Sequence, residues 1–516
     1  MAVSSDRDVI RLHSSDNIGV ALGDLPTGAD VRIDDTQVQV AEPVPLGHKI
    51  ALVPIGEGDR VQKYGQTIGV ATEAVPAGCW VHSHNLAHDD LELDCAPASE
   101  TPAPSAPLAG RTFQGYRRNS GRVGTRNYVA VISTVNCSAS VSKYVARRFD
   151  AAALAGFPNV DGVIAFTHTS GCGMPLGMQA HEMLDRVLGG IARHPNIGGY
   201  LLIGLGCEQA TPDHLLSSQQ LIQIDGMPPV QAGPPVFSMQ DLGGTTKTVE
   251  AAVERVAALL PRVNDVRRRT VPASELILGL ECGGSDGNSG ITANPALGIA
   301  TDMLVACGGT AVLSETPEIY GAQHLLTRRA VSIPVAEKLI ERIRWWKWYT
   351  GLFGAELDNN PSVGNKQGGL TTIAEKSLGA VAKGGSTALV DVYQYAQPVT
   401  ARGLVFMDTP GYDPASVTGM VAGGANIVVF TTGRGSCFGC KPSPSIKVAT
   451  NTPMFERMVD DMDIDAGRIL QGYPLAEVGR EIFAEILAVA SGKRTKSEQQ
   501  GIGDDEFIPW TVGPML

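Results

Sequence analysis

Several turns of this sequence share one pattern, a cysteine beside glycine directly after an apolar run. The cysteines in these turns are Cys137 in STVNCSAS, Cys172 in THTSGCG, Cys207 in IGLGCEQ, Cys282 in LECGGSDGNSG, and Cys437 with Cys440 in TTGRGSCFGC. A thiolate can bind a soft metal or act as a nucleophile, and glycine leaves the backbone open to a ligand. For any single one of these thiols, a buried packing residue is the better explanation. The repetition of the pattern favours a functional role for the group, although the CxxC at Cys437 lacks the second CxxC of a zinc site.

The same turns and two further loops carry polar side chains that suit a substrate. These candidates are His168 before Cys172, Ser285 and Asp286 after Gly283 and Gly284, Glu315 in SETPEIYG, Asn365 and Lys366 in NPSVGNKQGG, and Arg434 in TTGRG. An amine or a guanidinium beside bare backbone N–H groups suits a carboxylate or a phosphate. For the Lys366 loop an ordinary surface loop is the alternative, and both interpretations stay open. The phosphate-loop and dinucleotide fingerprints are absent from the sequence.

A third group of candidate residues is imidazoles. In VHSHN, His82 and His84 alternate along a predicted strand and therefore point to the same face, with His48 as a further histidine of the N-terminal region. Paired imidazoles of this kind are a common metal-binding arrangement. A solvated histidine pair accounts for the motif equally well.

Buried strands and amphipathic helices must position these turns. YVAVISTV, DGVIAFTH, GGYLLIGLG, ELILGLE and ANIVVFTTG are nearly continuous apolar runs, typical of parallel strands that are covered on both faces. Helical patterns alternate with these runs, which predicts α/β layers. Because parallel strands end at the same edge of a sheet, we expect the turns to converge on one cleft.

The chain divides into regions of different composition. Residues 1–95 contain short alternating strands separated by Gly and Pro, which predicts a small β-rich domain. The segment 96–112 is rich in Pro, Ala and Ser and predicts an extended, solvated linker. A break near VNDVRRRTVPAS separates an α/β domain at 113–265 from a C-terminal α/β catalytic domain at 266–516. The predicted fold is therefore multidomain, with a β-rich N-terminal domain followed by α/β domains with mostly parallel sheets.

The composition excludes some classes of function. A formal net charge of −12 opposes binding to nucleic acid or to an anionic membrane surface. No apolar run approaches the roughly 20 residues of a membrane helix, and no secretory signal is recognisable. Nine cysteines in 516 residues are sparse, unlike the disulfide framework of a small secreted domain, so we expect a cytoplasmic protein.

The chemistry-bearing motifs also resemble those of a known family. GYRRNSGRVGTRN, THTSGCG, IGLGCE, LECGGSDGNSGITANPALG, SETPEIYG, NPSVGNKQGG, EKSLG and TTGRG together resemble the altronate dehydratase and galactarate dehydratase family. The resemblance runs nearly end to end, because HSSDNIGVAL, PLGHKIAL and KYGQTIG are similar to the family's small N-terminal domain of the SAF type. Motifs of this length in this order are specific for the family and much less so for the substrate.

The resemblance implies an iron-dependent hydro-lyase that acts on a sugar acid. Such an enzyme removes the C2 proton of a 2,3-dihydroxy acid, expels the C3 hydroxyl and releases a 2-keto-3-deoxy acid. The reaction needs a base, an electrophile that stabilises the enediolate, and help for the departing hydroxide. On this resemblance, Arg434 and Lys366 would hold carboxylates, and His168, Lys366 or Glu315 would be the acid or base. Substrate hydroxyls would contact Asp286, Ser285 and the backbone of Gly283 and Gly284, with Asn365 beside them.

Two models for the metal follow from the resemblance. In the first, Cys137, Cys172 and Cys282 hold iron, either as Fe²⁺ or as an iron–sulfur cluster, because thiolates select such centres. In the second, mononuclear iron or Mn²⁺ lies on ligands drawn from His48, His82, His84, His168 and Glu315. The several strand-end thiols favour the first model.

Some segments depart from the family pattern and bear on the substrate. The turn after Arg434 is SCFGCKPSPS, where sugar-acid enzymes often have TPYG or TPFG, and VHSHN and GDDEFIPW are more similar to the altronate branch. DDMDIDAGRIL also resembles sulfolactate sulfo-lyases, which eliminate sulfite after the same proton abstraction. We therefore expect an altronate-like aldonate or aldarate as substrate, with galactarate dehydration and carbon–sulfur cleavage as alternatives.

The expected partners are a small sugar acid and further copies of the chain in a homo-oligomer, with neither nucleic acid nor membrane. A non-catalytic binding protein and a CFGC-dependent redox enzyme are the rival classes.

Overall fold

Short strands joined by tight turns build the N-terminal domain of the computed structural model, which describes residues 8–33, 36–89, 95–221 and 236–511. The strands are β1 (Val9–Ile10), β2 (Ile18–Ala21), β3 (Asp30–Ile33), β4 (Thr36–Gln39), β5 (Lys49–Ala51), β6 (Arg60–Lys63), β7 (Gln66–Ala71), β8 (Trp80–Val81) and β9 (Leu86–Ala87). All pairings of these strands are antiparallel. Polar and apolar side chains alternate along β3, as expected for a strand with one buried face.

The second domain contains a parallel sheet of four strands in the order β13-β12-β14-β15. Its strands and the preceding hairpin are β10 (Thr112–Arg117), β11 (Val123–Gly124), β12 (Tyr128–Ser133), β13 (Gly162–Phe166), β14 (Ile197–Gly204) and β15 (Val236–Ser238). The helices are α1 (Ala139–Ala146), α2 (Gln179–Ala192), α3 (Pro212–Ser218), α4 (Met239–Leu242) and α5 (Thr245–Asn264). Every residue of β12 is buried, which explains its uninterrupted apolar sequence.

The third domain contains a parallel sheet of seven strands in the order β19-β20-β18-β17-β21-β22-β23. The strands from this part of the chain are β16 (Arg269–Pro272), β17 (Ile277–Cys282), β18 (Thr310–Leu313), β19 (Leu389–Tyr393), β20 (Gly403–Met407), β21 (Ile427–Thr432), β22 (Ser445–Ala449) and β23 (Ile464–Asp465). The helices are α6 (Ala293–Ala306), α7 (His324–Thr327), α8 (Ile333–Gly351), α9 (Val363–Gln367), α10 (Ile373–Val381), α11 (Asp413–Gly423), α12 (Thr452–Arg457), α13 (Leu475–Ala490) and α14 (Lys496–Gln500). The predicted fold class is confirmed.

The strand order of the large sheet identifies where a ligand should bind. From β17 the chain passes to β18 on one side, whereas β21 lies on the other side of β17. Ligands of open α/β sheets bind beyond the carboxyl ends of the strands at such a switch in direction. Glu281 and Cys282 end β17, and Glu315 follows β18, so these residues lie at that edge.

The domains and the linker contact one another directly and are not joined only through the chain. β16, at the start of the third domain, pairs with β10 of the second domain. The linker is not solvated throughout as predicted, because backbone hydrogen bonds from Ala98 to Thr327 (2.9 Å) and from Leu108 to Ala306 (2.8 Å) hold it against the third domain. Exposed carbonyls at helix ends accept these bonds, which composition alone does not reveal.

The N-terminal domain is fixed to the third domain by buried charges. Lys49 and Lys63 each place an ammonium 2.8 Å from the carboxylate of Glu375 on α10, and all three side chains are fully buried. Close backbone contact adjoins this ion group, since a Cβ on Gly287 would lie 2.0 Å from the carbonyl oxygen of Gly47. Among the described residues, no helix has the length and apolarity to cross a membrane.

Candidate active site

The ends of β17 and β18 bring a group of ionisable side chains together. We call it the carboxylate–lysine cluster; its members are Glu281, Cys282, Glu315, Glu318, Lys376, Lys383 and Asp413. Glu315 lies directly after the β18 segment in a left-handed conformation, φ +65°, and its backbone N–H donates to Thr409 Oγ1 at 2.8 Å. A non-glycine residue in that conformation is uncommon and is often found at functional sites.

Short contacts join the members of the cluster. Lys383 donates to Cys282 Sγ at 2.8 Å and to Glu315 Oε2 at 2.5 Å. Lys376 donates to Glu318 Oε1 at 2.6 Å. Each lysine is therefore paired with one carboxylate, and the remaining carboxylates give the cluster an excess of acidic groups.

Burial dominates the electrostatics of the cluster. Burial, with the nearby charge of Glu315, raises the pKa of Glu281 well above its ordinary value and raises the pKa of Asp413 to about 8. The pKa of Glu315 is also raised, mainly by burial. Burial lowers the pKa of Lys383, but the charges of Cys282 and Glu315 outweigh it, so the net shift is upward. Extra positive charge would stabilise the ionised carboxylates.

Two overlapping sets of donor atoms fit a divalent cation. One set is Cys282, Glu315 and Glu318, the other is Glu281, Glu315 and Asp413, and within each set the ligand atoms lie within 4.8 Å of one another. Glu281 Oε2 accepts from Ser416 Oγ at 2.8 Å, whereas Glu281 Oε1 is buried without a hydrogen-bond partner in the described chain. A buried oxygen of this kind is costly unless something occupies its lone pair. Carboxylates with one thiol suit Fe²⁺ or Mn²⁺.

The turn Gly283–Gly290 borders the cluster, and its residues have distinct roles. A Cβ on Gly283 would lie 2.1 Å from Asp413 Oδ2, so glycine is needed for Asp413 to approach. Asp286 is buried and accepts hydrogen bonds from Ser289 in its own turn and from Thr450 and Asn451, which joins the turn to the loop after β22. Its carboxylate is thus held by protein groups, and its contact with substrate hydroxyls stays a prediction.

The remaining members of this turn are better placed for a ligand. Ser285 Oγ is buried and has no hydrogen-bond partner in the described residues. Asn365 donates to the carbonyl oxygen of Ser285 at 2.8 Å and so supports the turn, while its contact with substrate stays a prediction. A Cβ on Gly284 would lie 3.3 Å from Arg434 Cβ, which places Arg434 beside the same turn.

Lys366 and Arg434 are cations without a short contact to an acidic side chain in the described protein, although the rise that burial causes in the pKa of Asp358 is partly offset by the charge of Lys366. Neither the Lys366 ammonium nor the Arg434 guanidinium has a hydrogen bond or an ion pair with a described side chain. Lys366 is half-buried on α9 and Arg434 is exposed after β21. Gly368 connects them, since a Cβ there would lie 3.2 Å from Arg434 Cδ. Unpaired cations beside a bare turn suit an anionic ligand.

The imidazoles of His48 and His82 contact backbone carbonyl groups of α9. His48 Nδ1 accepts from Trp80 Nε1 at 3.1 Å, and its Nε2 lies 3.1 Å from the carbonyl oxygen of Gln367. His82 Nε2 lies 2.8 Å from the carbonyl oxygen of Lys366, and His84 is exposed. Burial lowers the pKa of His48 to about 4, so it is neutral. Both nitrogens of His48 are occupied, and these histidines position the Lys366 loop.

The remaining predicted residues lie in the second domain. His168 is buried, with Nε2 3.0 Å from the carbonyl oxygen of Ser133 and Nδ1 accepting from Ser170 N–H. Burial lowers its pKa to about 4, so His168 is a neutral imidazole that braces the end of β12. Cys137 and Cys172 are exposed thiols after β12 and β13, whereas Cys282 is buried at the end of β17 in the other sheet. The contacts of Cys282 are Lys383 and carboxylates.

Comparison with known proteins identifies the chain's family. Three family models match consecutive parts of the chain: the altronate/galactarate dehydratase SAF domain at 7–89, the D-galactarate dehydratase/altronate hydrolase second domain at 115–264, and the D-galactarate/altronate dehydratase C-terminal domain at 273–515. Galactarate dehydratase (L-threo-forming) of Escherichia coli K12 is 40% identical over 500 residues, 96% of this chain and 95% of that protein. The chain belongs to the galactarate/altronate dehydratase family.

Other members of the family extend the comparison. Altronate dehydratase of Escherichia coli K12 is 36% identical, covering 95% of this chain and 96% of that protein. The (2R)-sulfolactate sulfo-lyase subunit beta of Chromohalobacter salexigens is 31% identical over 78% of this chain and 97% of that subunit. The predicted family and the hydro-lyase class are confirmed.

Several members of the carboxylate–lysine cluster were not predicted from the sequence. Glu281, Lys383 and Asp413 were absent from the predicted site, although Glu281 directly precedes Cys282. Lys383 looks like a basic residue at a helix end, and Asp413 looks like the acidic first residue of α11. The available signal for Asp413 was its position in a turn after the apolar strand GLVFM.

Proposed function

We propose that this chain dehydrates a sugar acid to a 2-keto-3-deoxy acid. The observation that carries the proposal is the carboxylate–lysine cluster, which gathers acids, amines and a thiol at the switch point of the large sheet. Removal of a proton next to a carboxylate and expulsion of a hydroxyl require acid, base and charge stabilisation in one place. The family membership supports the same reaction class.

Substrate carboxylates are assigned to the unpaired cations. Arg434 lies beside Gly368 and beside Gly284 of the turn that carries Ser285, and Lys366 follows Asn365, which donates to the carbonyl oxygen of Ser285. A guanidinium can bind a carboxylate through two parallel hydrogen bonds, while an ammonium acts as a point charge. We assign one substrate hydroxyl to Ser285 Oγ, whose hydrogen-bonding capacity is unused by the described protein. Two cations favour an aldarate, with a carboxylate at each end, over an aldonate.

The predicted cofactor is Fe²⁺, with Mn²⁺ as the alternative, and the donor set fits either ion. Glu315 belongs to both donor trios, with Glu281 and Asp413 or Cys282 and Glu318 completing the set. Such an ion supplies a Lewis acid that stabilises negative charge on substrate oxygens. This assignment replaces the three-cysteine model, because Cys137 and Cys172 belong to the other sheet.

The chain's own amines and carboxylates supply proton transfer in this proposal. Lys376 is held between Glu318 Oε1 (2.6 Å) and Asn360 Oδ1 (3.0 Å), so its ammonium has a fixed direction. We assign Glu318 as the base that accepts the C2 proton and Lys376 as the group that protonates the departing hydroxyl; the proton then passes from Glu318 to Lys376 along their hydrogen bond, which restores both groups. Lys383 balances the charge of Glu315, and Gly283 leaves space for Asp413.

The test is turnover by the purified protein under anaerobic conditions with added Fe²⁺. Galactarate, altronate and other aldarates and aldonates are supplied singly, and the 2-keto-3-deoxy product is measured. We expect product from at least one aldarate, and none from the Glu315→Gln variant in a folded state. Absence of product from every sugar acid would refute the proposal.

A second candidate function is carbon–sulfur cleavage, favoured by the 31% identity to a sulfolactate sulfo-lyase subunit. The same proton abstraction next to a carboxylate would be followed by loss of sulfite instead of hydroxide. Sulfite release from (2R)-sulfolactate, without keto acid from any sugar acid, would establish this function instead.

A further inference from the structure

A second group of metal-ligating side chains lies in the second domain, on helices that the proposed reaction does not use. His181 and Asp185 are one helical turn apart on α2, and His214 lies on α3. Residues four apart on a helix point to the same side, so α2 presents an imidazole and a carboxylate together. The ligand atoms of the three residues lie within 4.8 Å of one another.

The distances within this group suit a small cation. Asp185 Oδ2 lies 3.1 Å from His214 Nε2, and Asp185 Oδ1 lies 3.6 Å from His181 Nε2. Zinc ligands at about 2.0–2.2 Å in a tetrahedron are about 3.3 Å from one another. Both separations are close to that value but involve different oxygens of Asp185, so side-chain rotation is needed to bring the three groups onto one ion.

One atom of the group is left without a partner. His181 is 3% exposed, and its Nε2 has no hydrogen-bond partner in the described chain although it points towards Asp185. A buried ring nitrogen in this state is unfavourable, because it has lost water without gaining a bond. By contrast, Asp185 Oδ2, the oxygen that faces His214, also accepts from Ser218 Oγ at 2.9 Å, which orients the carboxylate.

We propose that His181, Asp185 and His214 form a binding site for a divalent transition-metal ion, with Zn²⁺ as the best-suited ion. Two imidazoles and one carboxylate leave a fourth position, which water can fill because the His214 side chain is 30% exposed. The ion would join α2 to α3. Helix α2 packs closely on α11, because a Cβ on Gly190 would lie 2.3 Å from the carbonyl oxygen of Ala422. By holding α2 in place, the ion would also stabilise α11, which begins at Asp413 of the cluster.

The site is independent of the iron site proposed above, so the experiment must count its metal separately. The Glu315→Gln variant serves as the parent, because Glu315 belongs to both trios of the carboxylate–lysine cluster. The parent is stripped with a chelator, reloaded with Zn²⁺, and analysed for zinc per chain. His181→Gln, Asp185→Asn and His214→Gln are each added to it, and the exposed residue His13 provides the control variant His13→Gln.

We expect each of the three added substitutions to remove one equivalent of zinc and His13→Gln to remove none. Where a variant still binds zinc weakly, its Kd should be about 100-fold or more above that of the parent, which exceeds the effect of removing a group that only hydrogen-bonds to a ligand. If the His181 and Asp185 variants fail to fold, His214→Gln is the decisive variant, because the His214 side chain is the most exposed of the three. Zinc counts unchanged by His214→Gln in folded protein would overturn the proposal and leave an ion-free hydrogen-bonded group.

A second measurement identifies the ligands without relying on loss of metal. Co²⁺ replaces Zn²⁺ in the same parent, and its visible absorption is recorded with and without His214→Gln. A site of two imidazoles and one carboxylate gives bands of a low-coordinate ion without sulfur-to-metal charge transfer. Disappearance of those bands in the variant supports the proposal. A thiolate charge-transfer spectrum that the variant leaves unchanged would place the ion on cysteine and refute it.

Discussion

Replacing Glu375 by glutamine should loosen the N-terminal domain from the third domain. The fully buried carboxylate of Glu375 faces Lys49 and Lys63, each at 2.8 Å, and also accepts from the N–H and hydroxyl of Thr371 at 2.9 and 2.7 Å. Burial alone would raise the pKa of Glu375, but the two lysines outweigh it and lower the pKa strongly, so the group is ionised. Glutamine keeps the shape and removes the charge.

The expected loss follows from what the substitution leaves behind. Removing one partner of a buried ion pair costs about 3–5 kcal/mol, because the other charge remains buried and uncompensated. Here two ammonium groups lose their partner, and the new amide can direct an N–H₂ towards one of them. The lysines limit the loss by releasing a proton, since burial already lowers the pKa of Lys49 to about 8. We therefore expect a loss of about 4 kcal/mol.

The assay combines urea unfolding with limited proteolysis of the linker at 96–112. The variant should show an early transition and faster cleavage, because the linker lies against the third domain only while the regions stay docked. Glu100→Gln is the control: the Glu100–Arg328 pair joins the linker to the third domain at 3.4 Å, but Glu100 is 66% exposed, so its loss should stay below about 1 kcal/mol. Equal unfolding midpoints for the two variants would refute the reasoning.

Three further predictions concern single groups. The folded pKa of Glu375 is lowered, so the stability that its charge contributes should be complete above its ordinary pKa of 4.5 and decline as the pH falls below that value. A pH series of unfolding midpoints should show this loss in acid for the native protein and not for Glu375→Gln. Gly283→Ala should lower kcat by about 10²-fold, since its Cβ would lie 2.1 Å from Asp413 Oδ2, whereas Gly156→Ala, which meets no atom within 4 Å, should leave steady-state kinetics unchanged. Asp286→Asn should lower the free energy of unfolding by about 1–3 kcal/mol, because an amide donor would face the groups that now donate to the carboxylate; an unchanged urea midpoint would contradict this.

The strands of both parallel sheets could be predicted from the sequence for a physical reason. A strand covered on both faces must be apolar at every position, so YVAVISTV and ANIVVFTTG stand out as β12 and β21. The β-rich N-terminal domain could be predicted because Gly and Pro mark its turns. The domain boundaries at 95, 112 and 265, the homo-oligomer and the cytoplasmic location stay predictions.

The arrangement of the site was less accessible to sequence reasoning. Cys137, Cys172 and Cys282 follow similar apolar runs, but their strands lie in two different sheets, so convergence of these thiols on one cleft stays a prediction. Local sequence indicates where a strand ends and carries no signal for which sheet contains it. Asp413 and Lys383 join the cluster from distant segments, and their local contexts resemble ordinary helix ends. Only the packing of α11 and of the turn Ala382–Gly384 on the sheet reveals them.

Docking of the small N-terminal domain and orientation of the proposed catalytic lysine depend on the same helical turn. Glu375 and Lys376 are neighbours on α10 and diverge by about 100° around the helix axis, so Glu375 faces Lys49 while Lys376 faces Glu318 in the cluster. Loss of the Glu375 charge should therefore shift α10 and misdirect Lys376, and a displacement of about 1 Å lowers turnover about 10²-fold. Lys63→Met keeps the Glu375–Lys49 pair and so should keep most of kcat. If Glu375→Gln retains native kcat at a temperature where proteolysis shows the linker released, docking does not orient Lys376.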